Sequence, residues 1–252
     1  MIIDMDGVLY LGDQPMPRLK EFFAFLRERA IHFILATNNS TRNPQEYVEK
    51  LAGMGVTVSP TEILTSGQAA ARYLAREYPR GTRVHVFGMP ALKQAITDEG
   101  FILADEDVVL VVASMDRQVT YEKLKKATLL IRGGARFIAT NLDPTNPSIE
   151  GLIPGTGMMI AALQTASGVV PTAIGKPEPT MYELAMEQMD AHPATTAVIG
   201  DRVDTDILGG KRAGLFTICV LSGSSNKDEA EAGESDLIFT DIADILHTWR
   251  NE

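Results

Sequence analysis

Two aspartates near the start of the chain have a spacing that suits carboxylate chemistry. Asp4 and Asp6 follow the apolar residues Met1 to Ile3 and precede Gly7, a residue type that allows a sharp turn. The apolar residues predict a short buried strand, in which side chains two positions apart point the same way. Two carboxylates that close together are costly unless a cation, a shared proton or a reaction holds them there. One such reaction is nucleophilic catalysis, in which one carboxylate attacks while its neighbour transfers protons.

Simpler interpretations of this first segment stay open. An Asp-x-Asp-Gly sequence also occurs in surface turns and in calcium loops of the EF-hand type. The calcium loop is disfavoured because Val8 to Leu11 are apolar, where such a loop needs further oxygen ligands. The choice between a turn and a chemical site therefore depends on the other polar clusters of the chain.

A second polar cluster runs from Thr37 to Thr41. It follows residues 31–36, which predict a buried strand, and it precedes a helix that begins near Pro44. Its hydroxyls, the side-chain amides of Asn38 and Asn39, and the free N–H groups of the coming helix suit a phosphate oxygen. Ser, Thr and Asn are also the usual helix N-caps, so a plain helix start explains the same residues.

A third cluster is centred on Lys176. This residue lies between an apolar strand and a helix that begins near Pro179, a proline position typical of a first helical turn. A lysine there can neutralise a phosphate group or a carboxylate nucleophile. The alternative is a solvated surface lysine. The neighbouring Gly175 and Pro177 indicate a fixed backbone and so favour the functional interpretation.

The fourth cluster contains three aspartates. Asp204 and Asp206 fit the first turn of a helix, where the helix dipole favours acidic side chains. Asp201 comes directly after a buried strand and is harder to explain in that way.

The order of the predicted elements indicates an α/β protein. An amphipathic helix at 17–30 connects the first two strands, and a strand-helix-strand unit is typical of a parallel sheet. Ligands of such sheets bind at the carboxyl ends of the strands, where the polar clusters stand. Residues 63–78 predict a further helix with Ser66 as its cap, and the polar segment 140–147 predicts a loop.

The alternation of strands and helices restarts near residue 79 and continues to about residue 173. We therefore expect a core domain built from residues 1–78 and 174–252, with an α/β domain inserted at residues 79–173.

Composition and charge argue against several classes of partner. The formal net charge is −10, and no cluster of Lys and Arg offers a site for nucleic acid. No signal-peptide pattern and no membrane-spanning run are visible. The single cysteine, Cys219, lies in an apolar run and is predicted to be a buried strand residue. These features predict a cytoplasmic protein without a nucleic-acid or membrane partner. The acidic field would repel anionic substrates at long range, so a phosphate ligand would need a metal ion and local donors.

The four clusters, in this order and with a module inserted between the second and third, resemble the motifs of the haloacid dehalogenase superfamily of phosphohydrolases. The matching segments are Asp4-Met5-Asp6-Gly7-Val8, Thr37-Asn38-Asn39-Ser40, Gly175-Lys176-Pro177 and Gly200-Asp201 with Asp206. The segment Thr140 to Pro144 and the position of the insertion resemble the NagD-like, or 4-nitrophenylphosphatase, branch. The resemblance implies a Rossmann-like doubly wound parallel sheet with an inserted α/β cap domain of the C2 type.

The resemblance also implies catalytic roles. Asp4 would attack the phosphorus of a phosphate monoester, and Asp6 would act as general acid and base. Thr37 and Lys176 would hold the phosphoryl oxygens.

A magnesium site is implied by the same resemblance. Its ligands would be the Asp4 carboxylate, the backbone carbonyl of Asp6 and Asp201, with Asp206 in an adjacent supporting position. The cap would select among small-molecule phosphate esters such as phosphoglycolate, nucleotides or sugar phosphates, and its apolar strands are expected to pair in a homodimer. The residues expected to contact the substrate are Gly7, Asn38, Asn39, Asn141 and Asp143.

Other functions compete with a phosphatase. Signalling receiver domains also trap an aspartyl-phosphate with acids, a Thr and a Lys at strand ends, but they are about half this size and lack the second acid. A phosphomutase of the same superfamily would leave the phosphate on its product. A dehalogenase is disfavoured because it needs neither the second aspartate nor the metal ligands.

Overall fold

A computed structural model of the chain describes residues 1–148 and 150–251. Its strands, in chain order, are β1 (Ile2–Ile3), β2 (Tyr10–Leu11), β3 (Gln14–Pro15), β4 (Ile34–Thr37), β5 (Ile63–Thr65), β6 (Arg83–Phe87), β7 (Ile102–Leu103), β8 (Leu110–Ala113), β9 (Arg136–Ala139), β10 (Thr145–Ser148), β11 (Gly151–Pro154), β12 (Thr172–Ala173), β13 (Ala197–Gly200), β14 (Phe216–Val220) and β15 (Leu237–Phe239). Its helices are α1 (Leu19–Glu28), α2 (Pro44–Gly53), α3 (Ser66–Glu77), α4 (Pro90–Asp98), α5 (Tyr121–Arg132), α6 (Thr156–Ser167), α7 (Pro179–Met189), α8 (Leu208–Arg212), α9 (Lys227–Ala232) and α10 (Ile242–Arg250). Among these described helices, none is both long enough and apolar enough to cross a bilayer.

The chain divides into two compact units. The first comprises residues 1–37 and 44–64 together with the chain from Lys176 onward. Its sheet has the strand order β15-β14-β13-β1-β4-β5, and the pairings from β15 through to β4 are parallel. Because β1 lies inside this order and chain connections run to both sides of it, the sheet is doubly wound, which confirms the predicted fold class.

Both faces of this sheet are covered. Alternation along the strands sends Ile3, Leu35 and Ile199 into a buried cluster with the apolar faces of α1 and α10. Val198 points the other way and lies against α8 at Gly210. Helix α7 packs on β1 and β4. The apolar runs predicted as buried strands are therefore buried on both sides, as expected for parallel strands between two helical layers.

The second unit comprises residues 38–43 and 65–175. Its sheet has the order β12-β9-β8-β6-β7 and is parallel throughout. Strands β10 and β11 form a separate antiparallel hairpin. Phe87, Val111 and Phe137 from the sheet pack with Ile131 of α5 and Ile160 of α6 in a core of their own. An independent core is what a separately folded insertion requires.

The boundary of this unit differs from the predicted one. Helix α3, expected in the core domain, groups with the second unit and packs against α4. Strand β12 (Thr172–Ala173), which lies within the predicted insertion, pairs with β9 in the second unit. The assignment of the two units as catalytic core and cap stays a prediction.

The predicted helix at 63–78 was wrong at its start. Ile63–Thr65 forms strand β5, and the helix begins only at Ser66. Thr65 is the N-cap: its hydroxyl accepts a hydrogen bond from the Gln68 N–H at 3.2 Å, and Gln68 accepts one from the Thr65 N–H at 3.1 Å. The Ser66 hydroxyl, predicted as the cap, instead donates to the Asn38 carbonyl at 2.6 Å. A short apolar run beside a capping box does not reveal whether it is strand or helix.

The predicted loop at 140–147 was wrong in its last three residues, which belong to β10, the first strand of the β10–β11 hairpin. Its strands contain prolines and polar residues, so they lack the alternation from which strands are recognised.

Candidate active site

Three neighbouring strands deliver polar side chains to one edge of the first sheet. Ile3 pairs with Leu35 on one side and with Ile199 on the other, so β4, β1 and β13 end side by side. The Asp4 N–H continues this pairing by donating to the Ile199 carbonyl at 2.9 Å. Asp4 thus follows β1 directly, Thr37 is the last residue of β4, and Asp201 follows β13 directly. Parallel pairing alone brings together three of the polar clusters.

Lys176 reaches this edge by a different path. The sequence had suggested that Lys176 stands at the end of a strand of the first sheet. It does not, because the strand before it, β12, pairs with β9 of the second unit. It lies just before α7, and its ammonium donates to Asp4 Oδ1 at 2.5 Å, to Asp206 Oδ1 at 2.7 Å and to the Ala36 carbonyl at 3.1 Å. Only 4% of Lys176 is exposed, which excludes a solvated surface lysine.

Asp206 and Asp204 have separate environments. The turn Val203–Ile207 after β13 is a π-helical turn, and it points Asp206 inward. Asp206 Oδ2 accepts a hydrogen bond from the Arg202 N–H at 3.2 Å. The hydroxyl of Tyr182, from α7, donates to the Thr205 and Asp206 carbonyls at 3.2 and 3.1 Å. Asp204 is exposed and pairs with Arg202 at 2.7 Å, as an ordinary helix-start acid would.

Asp201 is held by one of its two oxygens. Oδ2 accepts a hydrogen bond from the Ser224 N–H at 2.7 Å. Oδ1 is fully buried and has no hydrogen-bond partner among the described residues. A buried carboxylate oxygen without a partner is costly, so its presence calls for a ligand.

Glycine is required beside this carboxylate. Gly7 has a φ of +88°, and a Cβ built on it would lie 2.4 Å from Asp201 Oδ2. The structure therefore places Gly7, predicted to contact the substrate, directly against Asp201. Asp6 is half-buried and forms a bridge with Tyr10 in the same turn.

The burial of these charges shifts their acidity. Burial raises the pKa of Asp4 well above its ordinary value; Lys176 opposes this, and the charges of Asp206 and Asp201 add to it. Burial and the charge of Asp206 raise the pKa of Asp201 to about 6. Burial would lower the pKa of Lys176, but the charges of Asp206 and Asp4 outweigh it and hold that pKa well above its ordinary value. The raised pKa of Lys176 keeps its ammonium charged, and the raised pKa values of Asp4 and Asp201 show that this charge does not offset their burial and mutual repulsion.

The carboxylates fit a divalent metal ion. Among the described residues, Asp4, Asp201 and Asp206 each offer an oxygen, and these oxygens lie within 4.8 Å of one another. When fully ionised, these carboxylates carry three negative charges beside the one positive charge of Lys176. Hard oxygen ligands and a net charge of this size suit Mg²⁺. The unpartnered Oδ1 of Asp201 is the oxygen most available to it.

The other predicted substrate contacts lie in the second unit, where Asn38, Asn141 and Asp143 are hydrogen-bonded to one another. The Asn38 amide donates to both Asp143 oxygens at 3.0 and 3.2 Å, and the Asn141 amide donates to the Asn38 carbonyl at 2.7 Å. Asn39 Oδ1 accepts hydrogen bonds from the Thr41 N–H and hydroxyl at 3.0 and 2.7 Å. These bonds give each side chain a structural task, and their contact with a substrate stays a prediction.

Sequence reasoning missed the residues that support the site. Tyr182 holds the turn before α8, Ser224 binds Asp201, and the Ser222 hydroxyl donates to the Gly7 carbonyl at 2.7 Å. Tyr182 stands on a helix among other apolar residues, and the serines belong to an ordinary polar turn. Neither segment carries a motif that would have pointed to them.

Comparison with known proteins agrees with this geometry. Residues 1–102 match haloacid dehalogenase-like hydrolases, and residues 173–245 match a second family of the same type. An acid sugar phosphatase from Staphylococcus saprophyticus is 39% identical over 231 residues, which cover 91% of this chain and 89% of the relative.

Solved structures agree as well. A 4-nitrophenylphosphatase from Thermotoga maritima has a TM-score of 0.92 at 36% identity, covering 97% of this chain and 94% of the other. A glycerol phosphate phosphatase from Mycobacterium tuberculosis, in complex with magnesium, has a TM-score of 0.90 at 33% identity, covering 96% and 74%. These matches confirm the resemblance read from the sequence. The chain belongs to the haloacid dehalogenase family of phosphatases, in its NagD-like, 4-nitrophenylphosphatase branch.

Proposed function

We propose that this phosphatase hydrolyses small phosphate monoesters through an aspartyl-phosphate on Asp4, with Mg²⁺ bound at the acidic cluster. The observation that carries the proposal is the buried arrangement of Asp4, Asp201 and Asp206 around the Lys176 ammonium. It combines a nucleophile, a fixed positive charge and a set of oxygen ligands. Phosphoryl transfer depends mainly on such positioning and charge stabilisation.

The first step joins Asp4 to the phosphorus. An Asp4 oxygen forms the new bond, the bond from phosphorus to the ester oxygen breaks, and Asp6 gives a proton to the departing alcohol. In the second step Asp6 takes a proton from a water molecule, whose oxygen attacks the phosphorus and releases Asp4. Asp6 suits this exchange because it is only half-buried, whereas Asp4 is enclosed.

Lys176 and Thr37 would hold the phosphoryl oxygens. Lys176 is fixed by Asp4, Asp206 and the Ala36 carbonyl, so little rearrangement is needed when negative charge develops at phosphorus. Bound Mg²⁺ would supply Lewis acidity and offset the excess negative charge of the site. Asp4, Asp201 and the Asp6 carbonyl would bind it, and Asp206, already bonded to Lys176, would support them.

We further propose phosphorylated sugars or polyols as the natural substrates. The support is the sugar phosphatase that is 39% identical to this chain and the glycerol phosphate phosphatase that shares its fold. Nucleotides and phosphoglycolate are the comparison substrates in a screen. Catalytic efficiency should be highest for a phosphorylated sugar or polyol; a clear preference for a nucleotide would contradict this assignment.

The test of the reaction is release of nitrophenol and inorganic phosphate from 4-nitrophenyl phosphate. Activity should need Mg²⁺, disappear in EDTA and disappear in Asp4→Asn. Asp204→Asn is the matched control, because Asp204 is exposed and outside the acidic cluster, and it should keep nearly full activity. Activity that persists in Asp4→Asn would refute the nucleophile.

The competing functions give different products. A phosphomutase would return a phosphorylated product without releasing inorganic phosphate. A signalling module would take up about one phosphate per chain and stop. Repeated turnover with free phosphate would exclude both.

A further inference from the structure

The loop that follows β14, residues 221–225, lies over the Asp201 carboxylate. Gly223 and Ser224 are exposed, whereas Asp201 beneath them is 2% exposed. The Ser224 N–H donates to Asp201 Oδ2 at 2.7 Å, and the Ser225 N–H donates to the Asp201 carbonyl at 3.0 Å. The loop is thus bonded to both the side chain and the backbone of this aspartate.

The same loop is also bonded to the turn that carries the nucleophile. The Ser222 hydroxyl donates to the Gly7 carbonyl at 2.7 Å, one residue after Asp6. Through Ser222 and Ser224, the loop connects the ends of β1 and β13. These two strand ends supply Asp4 and Asp201, which must keep a fixed separation to bind one ion.

Space, rather than backbone conformation, requires glycine at position 223. The φ of Gly223 lies outside the left-handed region, so an alanine fits the backbone. A Cβ there would nevertheless lie 2.0 Å from Asp201 Oδ2 and 2.5 Å from its Cγ, far inside any real contact. A Cβ on Gly7 would likewise lie 2.4 Å from Oδ2. Both glycines therefore pack against the Asp201 carboxylate, and neither position has room for a side chain.

The Ser224 bond and this close packing determine which oxygen faces a metal ion. Oδ2 is occupied by the Ser224 N–H, while the buried Oδ1 has no partner among the described residues. A partial rotation of the carboxylate would break the Ser224 bond. The loop thus leaves Asp201 one orientation, with Oδ1 free to act as a single ligand.

We propose that Ser222 and Gly223 are positioning residues, which hold Asp201 so that Oδ1 alone binds the metal ion. The inference rests on the proposed Mg²⁺-dependent function and deepens it. Part of the affinity for the ion then comes from loop 221–225, although this loop supplies no ligand side chain.

The test is titration of the full-length protein with MgCl₂ by calorimetry, without substrate. Gly223→Ala should weaken Mg²⁺ binding about 10- to 100-fold, the usual effect of disturbing residues behind a metal ligand. Gly53→Ala is the matched control: Gly53 ends α2, a Cβ there meets no atom within 4 Å, and binding should not change. Equal affinities of wild type and a folded Gly223→Ala protein would overturn the proposal.

A second pair of variants covers the case in which Gly223→Ala fails to fold. Ser222→Ala should weaken Mg²⁺ binding about tenfold, and Ser222→Thr, which keeps the hydroxyl, should restore it. Thermal melts in EDTA separate the roles, because a purely structural residue would lower the melting temperature and leave the affinity unchanged. Ser222→Ala with normal affinity would then refute the positioning role.

The proposed function has its own mode of failure. If Asp201→Asn binds Mg²⁺ as tightly as wild type, or wild type binds none, the metal site itself is wrong. If the loop variants bind Mg²⁺ with full affinity and Asp201→Asn does not, the metal site is supported and the positioning role is refuted.

Discussion

At the scale of single residues, Lys176 supplies the positive charge of the site. It is buried between Asp4 and Asp206, and it is the cation that would face the phosphoryl group. We expect Lys176→Ala to lower turnover of 4-nitrophenyl phosphate by several orders of magnitude, because a preorganised charge acts most strongly in a dry site. Steady-state kinetics on the folded variant measure this, and near-normal turnover would remove Lys176 from the site.

The same substitution should also destabilise the fold. Removing one partner of a buried ion pair leaves uncompensated charge, which costs about 3–5 kcal/mol. Because the Asp4 pKa is already raised and loses the opposing effect of Lys176 in this variant, Asp4 should be neutralised by a proton as the pH falls. The loss in free energy of unfolding should therefore be smaller at pH 5 than at pH 7.5. Urea denaturation at both pH values measures it, and an equal loss would contradict the coupling.

Asp201 gives a pH-dependent prediction. Its pKa is raised from 3.8 to about 6, so the folded protein without metal holds a proton there more tightly than the unfolded chain. The stability of the metal-free protein should therefore fall as the pH rises from 3.8 to about 6, and bound Mg²⁺ should offset that loss. The increase in melting temperature caused by Mg²⁺ should be larger at pH 7.5 than at pH 5. In Asp201→Asn the increase should be small at both; a pH-independent increase in wild type would contradict the prediction.

At the scale of elements, the sequence predicted well wherever one rule of local structure sufficed. Helices α2 and α7 begin at the predicted Pro44 and Pro179, because a proline in the first turn and the apolar periodicity agree there. Strand β5 was missed because an apolar run before a capped helix fits both states. The role of β12 was missed because the partner of a two-residue strand is a tertiary choice that no local pattern records.

One network joins segments far apart in the chain and gives a stability prediction. Asn141 is buried; its amide donates to the Asn38 carbonyl at 2.7 Å, and its oxygen accepts from the Asp143 N–H at 3.1 Å. Asn141→Ala should lower the free energy of unfolding by about 1–3 kcal/mol, because buried polar groups lose their partners. Leu142→Ala, at a half-exposed neighbouring site, is the control and should change it much less. An unchanged stability in Asn141→Ala would favour a direct substrate contact instead.

At the scale of the whole molecule, the sequence predicted the fold class, the family and the reaction class. Four short motifs in a fixed order carried that information, and three of them stand at strand ends of the first sheet. The supporting contacts of Tyr182, Ser222 and Ser224 were not predictable, because they depend on loops and helices meeting in space. The motifs indicate which reacting residues are present, whereas only the fold shows which other residues hold them in position.

The net charge gives a prediction at the same scale. A chain with a net charge of −10 repels a phosphate dianion at long range, and salt screens this repulsion beyond about 8–10 Å. The kcat/KM for a sugar phosphate, at saturating Mg²⁺, should therefore rise a few-fold from low to physiological ionic strength. A neutral salt series measures it. A steady fall with salt would show that a local positive field dominates the approach of the substrate.

The most direct test of the central claim is the identity of the phosphorylated residue during turnover. Wild type and Asp6→Asn are mixed with 4-nitrophenyl phosphate and Mg²⁺, quenched in acid within the first turnover, digested and analysed by mass spectrometry. We predict phosphate on the peptide that contains Asp4, with both its appearance and its loss slowed in Asp6→Asn. Turnover with no phosphorylated peptide, or with phosphate on a peptide lacking Asp4, would contradict the proposed mechanism.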